Sequence, residues 1–187
     1  MVTSTTQWGT TRCDEAVRRG SHKSVHLHRE FVFDEMLDFC QQGYWLVLPY
    51  ALVQQWPELR VSPLGAVPQR DRRPQLIVDY SYSGVNQETV QLAPPEAMQF
   101  GRTLQQVLSR IVHADARYSP VHLSKIDIAN GFYRVWLRVA NIPKLRVVLP
   151  TSPDQPHLIA FPLTLPMGWV ESPLFHRADG NGVRSCQ

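Results

Sequence analysis

Cysteine is scarce in this sequence, and its few cysteines show no metal-binding spacing. The three residues, Cys13, Cys40 and Cys186, lie far apart. An odd number of cysteines without regular spacing is typical of free thiols in a reducing compartment. The chain also lacks an apolar run long enough to cross a bilayer, and its N-terminus has no hydrophobic signal core. We therefore expect an intracellular protein, cytoplasmic or nuclear, with no signal peptide and no membrane partner.

Charge is also low, with a formal net value of +3 that by itself does not indicate a nucleic-acid partner. The apolar fraction of 43% is enough for a sizeable core, which excludes the disordered class. Most of the 15 prolines stand between apolar runs, so many short elements are expected rather than a few long helices. The length of 187 residues suits about one domain.

Apolar periodicity predicts the main elements. One helix is expected over 30–42, closed by Gly43, and another after Pro94 and Pro95, with an apolar face that should lie in the core. Residues 1–29 are polar and are expected to form a disordered leader, in which His22, His26 and His28 are solvated rather than metal-bound. Strands are predicted over 44–48, 62–67, 76–80, 145–149 and 158–163.

Three further stretches contain the candidate functional residues. The first is a basic connection between two predicted strands, with Arg70, Arg72 and Arg73 at its tip and Val-Asp-Tyr (78–80) after it. The second is an apolar run from Val121 to Ile128 that carries Asp127 near its end, and Phe132 follows this acid by five residues. The third is Leu-Pro-Met-Gly-Trp-Val-Glu-Ser-Pro over 165–173. Taken singly, each has an ordinary explanation: a solvated turn, an acid that caps a turn, and core packing.

In this order and spacing, the three stretches together resemble the reverse transcriptase domain of a retrotransposon-like element, an RNA-directed DNA polymerase, from about residue 30 to residue 175. The resemblance implies an α+β fold, with fingers strands and helices on an incomplete palm. The implied division is 1–29 leader, 30–95 fingers-like, 96–139 palm-like, 140–163 fingers-like return, 164–175 palm-like turn and 176–187 irregular tail.

The resemblance also implies roles for particular residues. Asp127 matches the first catalytic aspartate, a ligand of the Mg²⁺ ions that drive nucleotidyl transfer to a primer 3′-hydroxyl. Phe132 matches the steric gate that favours deoxynucleotides, and Asn86 matches the asparagine that closes the fingers segment. Gln75 stands where the family has an arginine, which shifts that role to Arg73. The implied nucleotide-binding residues are Arg70, Arg72, Arg73, Phe132, Met167 and Gly168.

The family also needs two adjacent aspartates after the Ser-Pro turn, and the sequence after Pro173 contains no such pair. We therefore expect a domain truncated before that motif and inactive as a polymerase alone. Its implied partners are an RNA or DNA template-primer and a deoxynucleoside triphosphate. The alternative is a non-catalytic nucleic-acid-binding remnant of a retroelement. Around Asn130-Gly131 two structures stay open, a hairpin, which this dipeptide favours, and the tight helical turn of the family.

Overall fold

The computed structural model describes residues 8–90, 101–115, 117, 120–122, 130–152 and 154–173, and the side chains of 101–104 are not among the described parts. The described helices are α1 (Thr10–Arg19), α2 (Lys23–Leu27), α3 (Arg29–Gln41), α4 (Tyr50–Val53), α5 (Val85–Glu88) and α6 (Gly101–Val112). The strands are β1 (Trp45–Pro49), β2 (Val61–Gln69), β3 (Arg72–Val78), β4 (Arg146–Val148) and β5 (Leu158–Pro162). Short 3-10 turns span Gly131–Arg134 and Val139–Lys144.

The strands form one mixed sheet in the order β1-β5-β4-β2-β3. Neighbouring strands are antiparallel except β2 and β4, which run parallel with Val61 opposite Arg146. Helices packed with a mixed sheet define an α+β fold, as the sequence predicted. Helix α3 and all five strands lie close to their predicted positions, because each carries a clear apolar period.

Both faces of the sheet are covered, which explains why β5 is apolar along its length. Ile159 and Phe161 pack into one cluster with α1 and α4. Ala160, between them, packs into the larger cluster with α3. Alternate side chains of one strand therefore join two separate cores.

The N-terminal segment differs from the predicted disordered leader, and that prediction is corrected over the described residues. Helix α1 buries Cys13, Ala16 and Val17 against the sheet, and α2 buries Val25 completely. The cause is a narrow stripe at positions i, i+3 and i+4 within an otherwise polar sequence. A stripe of three small apolar residues is a weak sequence signal, but here it covers an open sheet face.

Helix α6 has the predicted helical form, but its exposure differs from the prediction. Val107 and Leu108 of the predicted apolar face are exposed, whereas the sequence led us to expect this face in the core. None of the helices in the described part of the chain has the length and apolarity that a bilayer crossing requires.

Candidate functional site

The strands β2 and β3 form an antiparallel hairpin that ends in the basic tip. Residues 70 and 71 make the turn, and Asp71 adopts a left-handed backbone with φ of 57°. An irregular register between Val67 and Gln69 twists the end of the hairpin. Arg70, Arg72 and Arg73 are all exposed there, so their guanidinium groups face solvent.

A bend at residues 166–168 lies against the other end of this hairpin. The Val78 N–H donates a hydrogen bond to the Met167 carbonyl oxygen at 3.2 Å. Gly168 follows with φ of +108°, and a Cβ there would collide with the Val78 carbonyl oxygen. Glycine is therefore required for both backbone conformation and space. The backbone that approaches this glycine closely is that of β3.

Asn86 fixes the bend from a second direction. Its Nδ2 donates to the Gly168 carbonyl oxygen at 3.0 Å, and its Oδ1 accepts the Val170 N–H at 3.0 Å. The buried Trp169 adds a hydrogen bond from Nε1 to Thr89 Oγ1 at 3.0 Å. The asparagine that the resemblance singled out thus joins the hairpin base to the bend, and both elements are held in one geometry.

A cleft of about 560 Å³ opens between the hairpin tip, the bend and α3. Arg72, Arg73 and Gln75 line it from the hairpin, and Met167 lines it from the bend. The volume lies within the range of small-molecule sites. Two guanidinium groups suit phosphate oxygens because they donate paired hydrogen bonds, and a thioether can pack against a planar base. The cleft is therefore equipped to bind a phosphorylated planar molecule.

The structure thus brings three of the predicted site residues together: Arg72, Arg73 and Met167. Arg70 lies at the same tip but is not among the residues that line the cleft. Gly168 lines a neighbouring cleft instead. Asp127 lies outside the described residues, so its role as catalytic acid and metal ligand stays a prediction.

Tyr133, and not Phe132, is the aromatic residue that lines the cleft from the segment after Asp127. Its ring lies 4.7 Å from that of Phe39 and 5.4 Å from that of Tyr44, on which it stacks. Phe132 is partly buried and packs against the larger core. Both residues lie in the 3-10 turn Gly131–Arg134, so of the two structures left open around Asn130-Gly131 the described residues show the helical turn and not the hairpin. The steric-gate role of Phe132 stays a prediction.

Glu35, Asn130 and Tyr133 are among the wall residues that the sequence did not assign to a site. Burial raises the pKa of Tyr133 well above its ordinary value, and the charge of Glu35 adds to this shift, so its phenol keeps its proton at neutral pH. Burial also raises the pKa of Glu35, and the nearby Arg73 only partly opposes it. Glu35 Oε1 lies 3.7 Å from Arg73 Nη1. An acid is thus present among the basic residues of the cleft.

A second cleft, of about 270 Å³, lies on the other side of the bend and is lined by Gly168, Asn86, Asp79 and His22. His22 Nε2 is 3.1 Å from Asp79 Oδ2, while Asp79 Oδ1 accepts the Tyr82 N–H at 3.0 Å. The N-terminal segment therefore docks on the hairpin through His22, which the sequence analysis had expected to be solvated.

The described residues contain no group of three or more His, Cys, Asp or Glu side chains placed to hold a metal ion. Glu35 is an acid in the cleft wall, but Mg²⁺ requires an octahedral set of oxygen ligands. The described residues alone therefore do not fit a resident ion.

Comparison with known proteins adds no family assignment. No protein-family model matches this chain, and no significant match was found among curated proteins.

Proposed function

We propose that this chain forms the fingers and part of the palm of a reverse transcriptase-like polymerase, and that its cleft binds the phosphates of a deoxynucleoside triphosphate. The observation that carries the proposal is the convergence of Arg72, Arg73 and Met167 on one cleft. The two arginines and Met167 come from stretches that lie more than ninety positions apart in the sequence. Asn130, which follows Asp127 by three residues, lines the same cleft.

Gln75, which stands where the family has an arginine, contacts both the bend and the hairpin. Gln75 Nε2 donates to the Met167 sulfur, and Gln75 Oε1 accepts from Gln69 Nε2 at 2.6 Å. Gln75 therefore ties the hairpin to the bend and leaves phosphate binding to Arg72 and Arg73. This division supports the shift of the family's arginine role to Arg73.

The proposed chemistry is nucleotidyl transfer from a deoxynucleoside triphosphate to a primer 3′-hydroxyl, with Asp127 as the acid that would bind magnesium. Magnesium bound with the nucleotide would offset phosphate charge during the transfer. The chain's own contribution is to hold the triphosphate through Arg72 and Arg73 and to support the base against Met167. With one catalytic acid of the family's three, we expect no primer extension by this chain alone.

The test is equilibrium binding of dATP to the purified chain, measured by calorimetry. Replacing both Arg72 and Arg73 by Ala should weaken binding on the order of 100-fold or more, because each arginine would contribute at least one charge-assisted hydrogen bond of roughly 1.5–3 kcal/mol and every 1.4 kcal/mol is tenfold in affinity. The matched control is Arg18→Ala with Arg138→Ala, which removes the same charge at exposed positions away from the cleft. Equal losses in the two double variants would show binding by general charge and would contradict the proposal.

A second candidate function is non-catalytic binding of nucleic acid by the hairpin tip. It is favoured by the position of Arg70, which is exposed at the tip but outside the cleft. Binding to a primer-template should then weaken as salt rises, because phosphate contacts release counterions. Arg70→Ala should lower the salt slope by about one while leaving dATP binding unchanged. A salt slope that Arg70→Ala leaves unchanged would contradict this candidate.

A further inference from the structure

Glu35 is an unexpected residue in a cleft that is otherwise suited to anions. It lies on α3, one helical turn before Phe39, and both residues line the cleft. Phe39 is only 4% exposed and packs against Tyr133, so this turn of α3 is fixed in place. The Glu35 side chain is 29% exposed, so its carboxylate lies at the cleft wall and is partly shielded from solvent.

The contact between Glu35 and Arg73 is weak as a stabilising interaction. Its 3.7 Å separation exceeds the range of about 2.7–2.9 Å found in charge-assisted hydrogen bonds. The Arg73 side chain is 77% exposed, and ion pairs with such exposure contribute little to stability. The pair is therefore easily opened by a stronger anion, and fold stability does not explain why an acid stands at this position.

We infer that Glu35 is a specificity-determining residue that competes with anionic ligands for Arg73 in the cleft. This inference rests on the proposed phosphate-binding function. When the cleft is empty, the Glu35 carboxylate attracts Arg73 only weakly. When a phosphate chain enters, Arg73 turns from Glu35 to the ligand, and the carboxylate then repels the ligand. The repulsion grows with ligand charge, so Glu35 limits affinity most for the triphosphate.

The test compares dAMP, dADP and dATP with the wild-type chain and Glu35→Gln, by calorimetry in a metal-free buffer. Glu35→Gln should bind dATP on the order of 3- to 10-fold more tightly, with a smaller gain for dADP and the smallest for dAMP. Glu30→Gln is the matched control, since it makes the same change at an exposed position of the same helix and should leave all three affinities unchanged. Glu35→Asp keeps the charge, and its affinities for the three nucleotides should stay close to those of the wild-type chain.

An Arg73→Ala background tests the competition itself. There the gain from Glu35→Gln should shrink, because the residue that Glu35 competes for is absent. A gain that is undiminished in this background, or equal for the three nucleotides, would overturn the inference. If dATP binding depends on Arg72 and Arg73 but Glu35→Gln does not tighten it, the inference fails and the proposed function stands. If neither the wild-type chain nor Glu35→Gln binds dATP, both fail.

Discussion

Two groups of arginines in this chain are used in opposite ways. Arg60 and Arg146 lie in the interior, with exposures of 2% and 1%. Arg72 and Arg73 stand at the hairpin tip and are exposed. All carry the same guanidinium group, so their surroundings must decide what the charge does.

The contacts of the interior arginines lie within the fold. Arg60 donates to Glu88 Oε2 at 2.7 Å and to the Ser83 carbonyl oxygen at 3.2 Å. Arg146 lies over the rings of Trp56 and Phe161, with its guanidinium carbon 5.5 and 4.9 Å from the ring centroids. Burial lowers the pKa of Arg146 to about 10, against the smaller raising effects of Cys13 and Glu58.

The tip arginines are held by fewer contacts within the fold and are more exposed to water. The long contact of Arg73 with Glu35 leaves its guanidinium group largely hydrated. A hydrated cation next to a cleft loses little when it moves to a phosphate, whereas a buried cation would have to give up its partners. Burial and pairing therefore separate structural arginines from candidate binding arginines, a distinction that the sequence does not contain.

The largest effect should come from removing an interior arginine. Arg60→Met leaves the Glu88 carboxylate without this partner, and it should lower the free energy of unfolding by about 3 kcal/mol. Chemical denaturation followed by circular dichroism measures the change. A loss under about 1 kcal/mol would show that Arg60 is not structural and would remove the contrast with the tip.

A smaller effect of opposite sign is expected at Arg146. Its Nε and Nη1 are buried without a hydrogen-bond partner. Arg146→Met keeps much of the volume and removes these unpaired donors, so stability should stay equal or rise by about 1 kcal/mol. The same denaturation experiment applies, with Arg146→Ala as a control that should destabilise through lost packing. A strongly destabilised Arg146→Met would show that the stacking on Trp56 and Phe161 stabilises the fold more than the unpaired donors cost.

The tip arginines should matter little for stability. Arg72→Ala with Arg73→Ala should change the free energy of unfolding by no more than about 0.5 kcal/mol, as expected for exposed side chains. The same variant should lose most of its dATP affinity. If this double variant is unfolded, the tip arginines stabilise the fold, and they do not differ from the interior arginines in the way described.

The smallest effect is a pH-dependent one at Glu35. Its pKa in the folded chain is raised above the ordinary 4.5, so the charged carboxylate costs stability at neutral pH. That cost falls as pH drops through the folded pKa and is absent below the unfolded value. Glu35→Gln should thus be more stable than the wild-type chain at pH 7 by a few tenths of a kcal/mol. Thermal unfolding at pH 7 and pH 4 measures it, and a larger gain at pH 4 would contradict the assigned sign.

Much of the fold follows from local sequence patterns. Where the fold departs from the prediction, the departure has an identifiable physical cause. Helix α3 ends just before Gly43, which has a φ of 74°. The position of this glycine in the sequence was enough to predict the helix end. Helix α1 was missed because its buried residues, Cys13, Ala16 and Val17, are few and small, and their burial comes from the sheet that they cover. Local sequence does not report such a tertiary contact.

The site was predicted in part. Arg72, Arg73 and Met167 belong to stretches with distinctive residues, and the structure brings them to one cleft. The choice between Phe132 and Tyr133 depends on the rotation of a 3-10 turn, which adjacent aromatic residues do not specify. Glu35 had no local signal, because it faces Arg73 only after α3 packs on the sheet.

The central claim is that the cleft between the arginine tip and the bend is a nucleotide site. Photocrosslinking with 8-azido-dATP, followed by mass spectrometry of the labelled peptides, tests it most directly. We predict label on peptides that contain Tyr133 or Met167, and loss of that label in Arg72→Ala with Arg73→Ala. Label confined to the second cleft, around Asp79 and Asn86, or label that persists in the double variant, would contradict the claim.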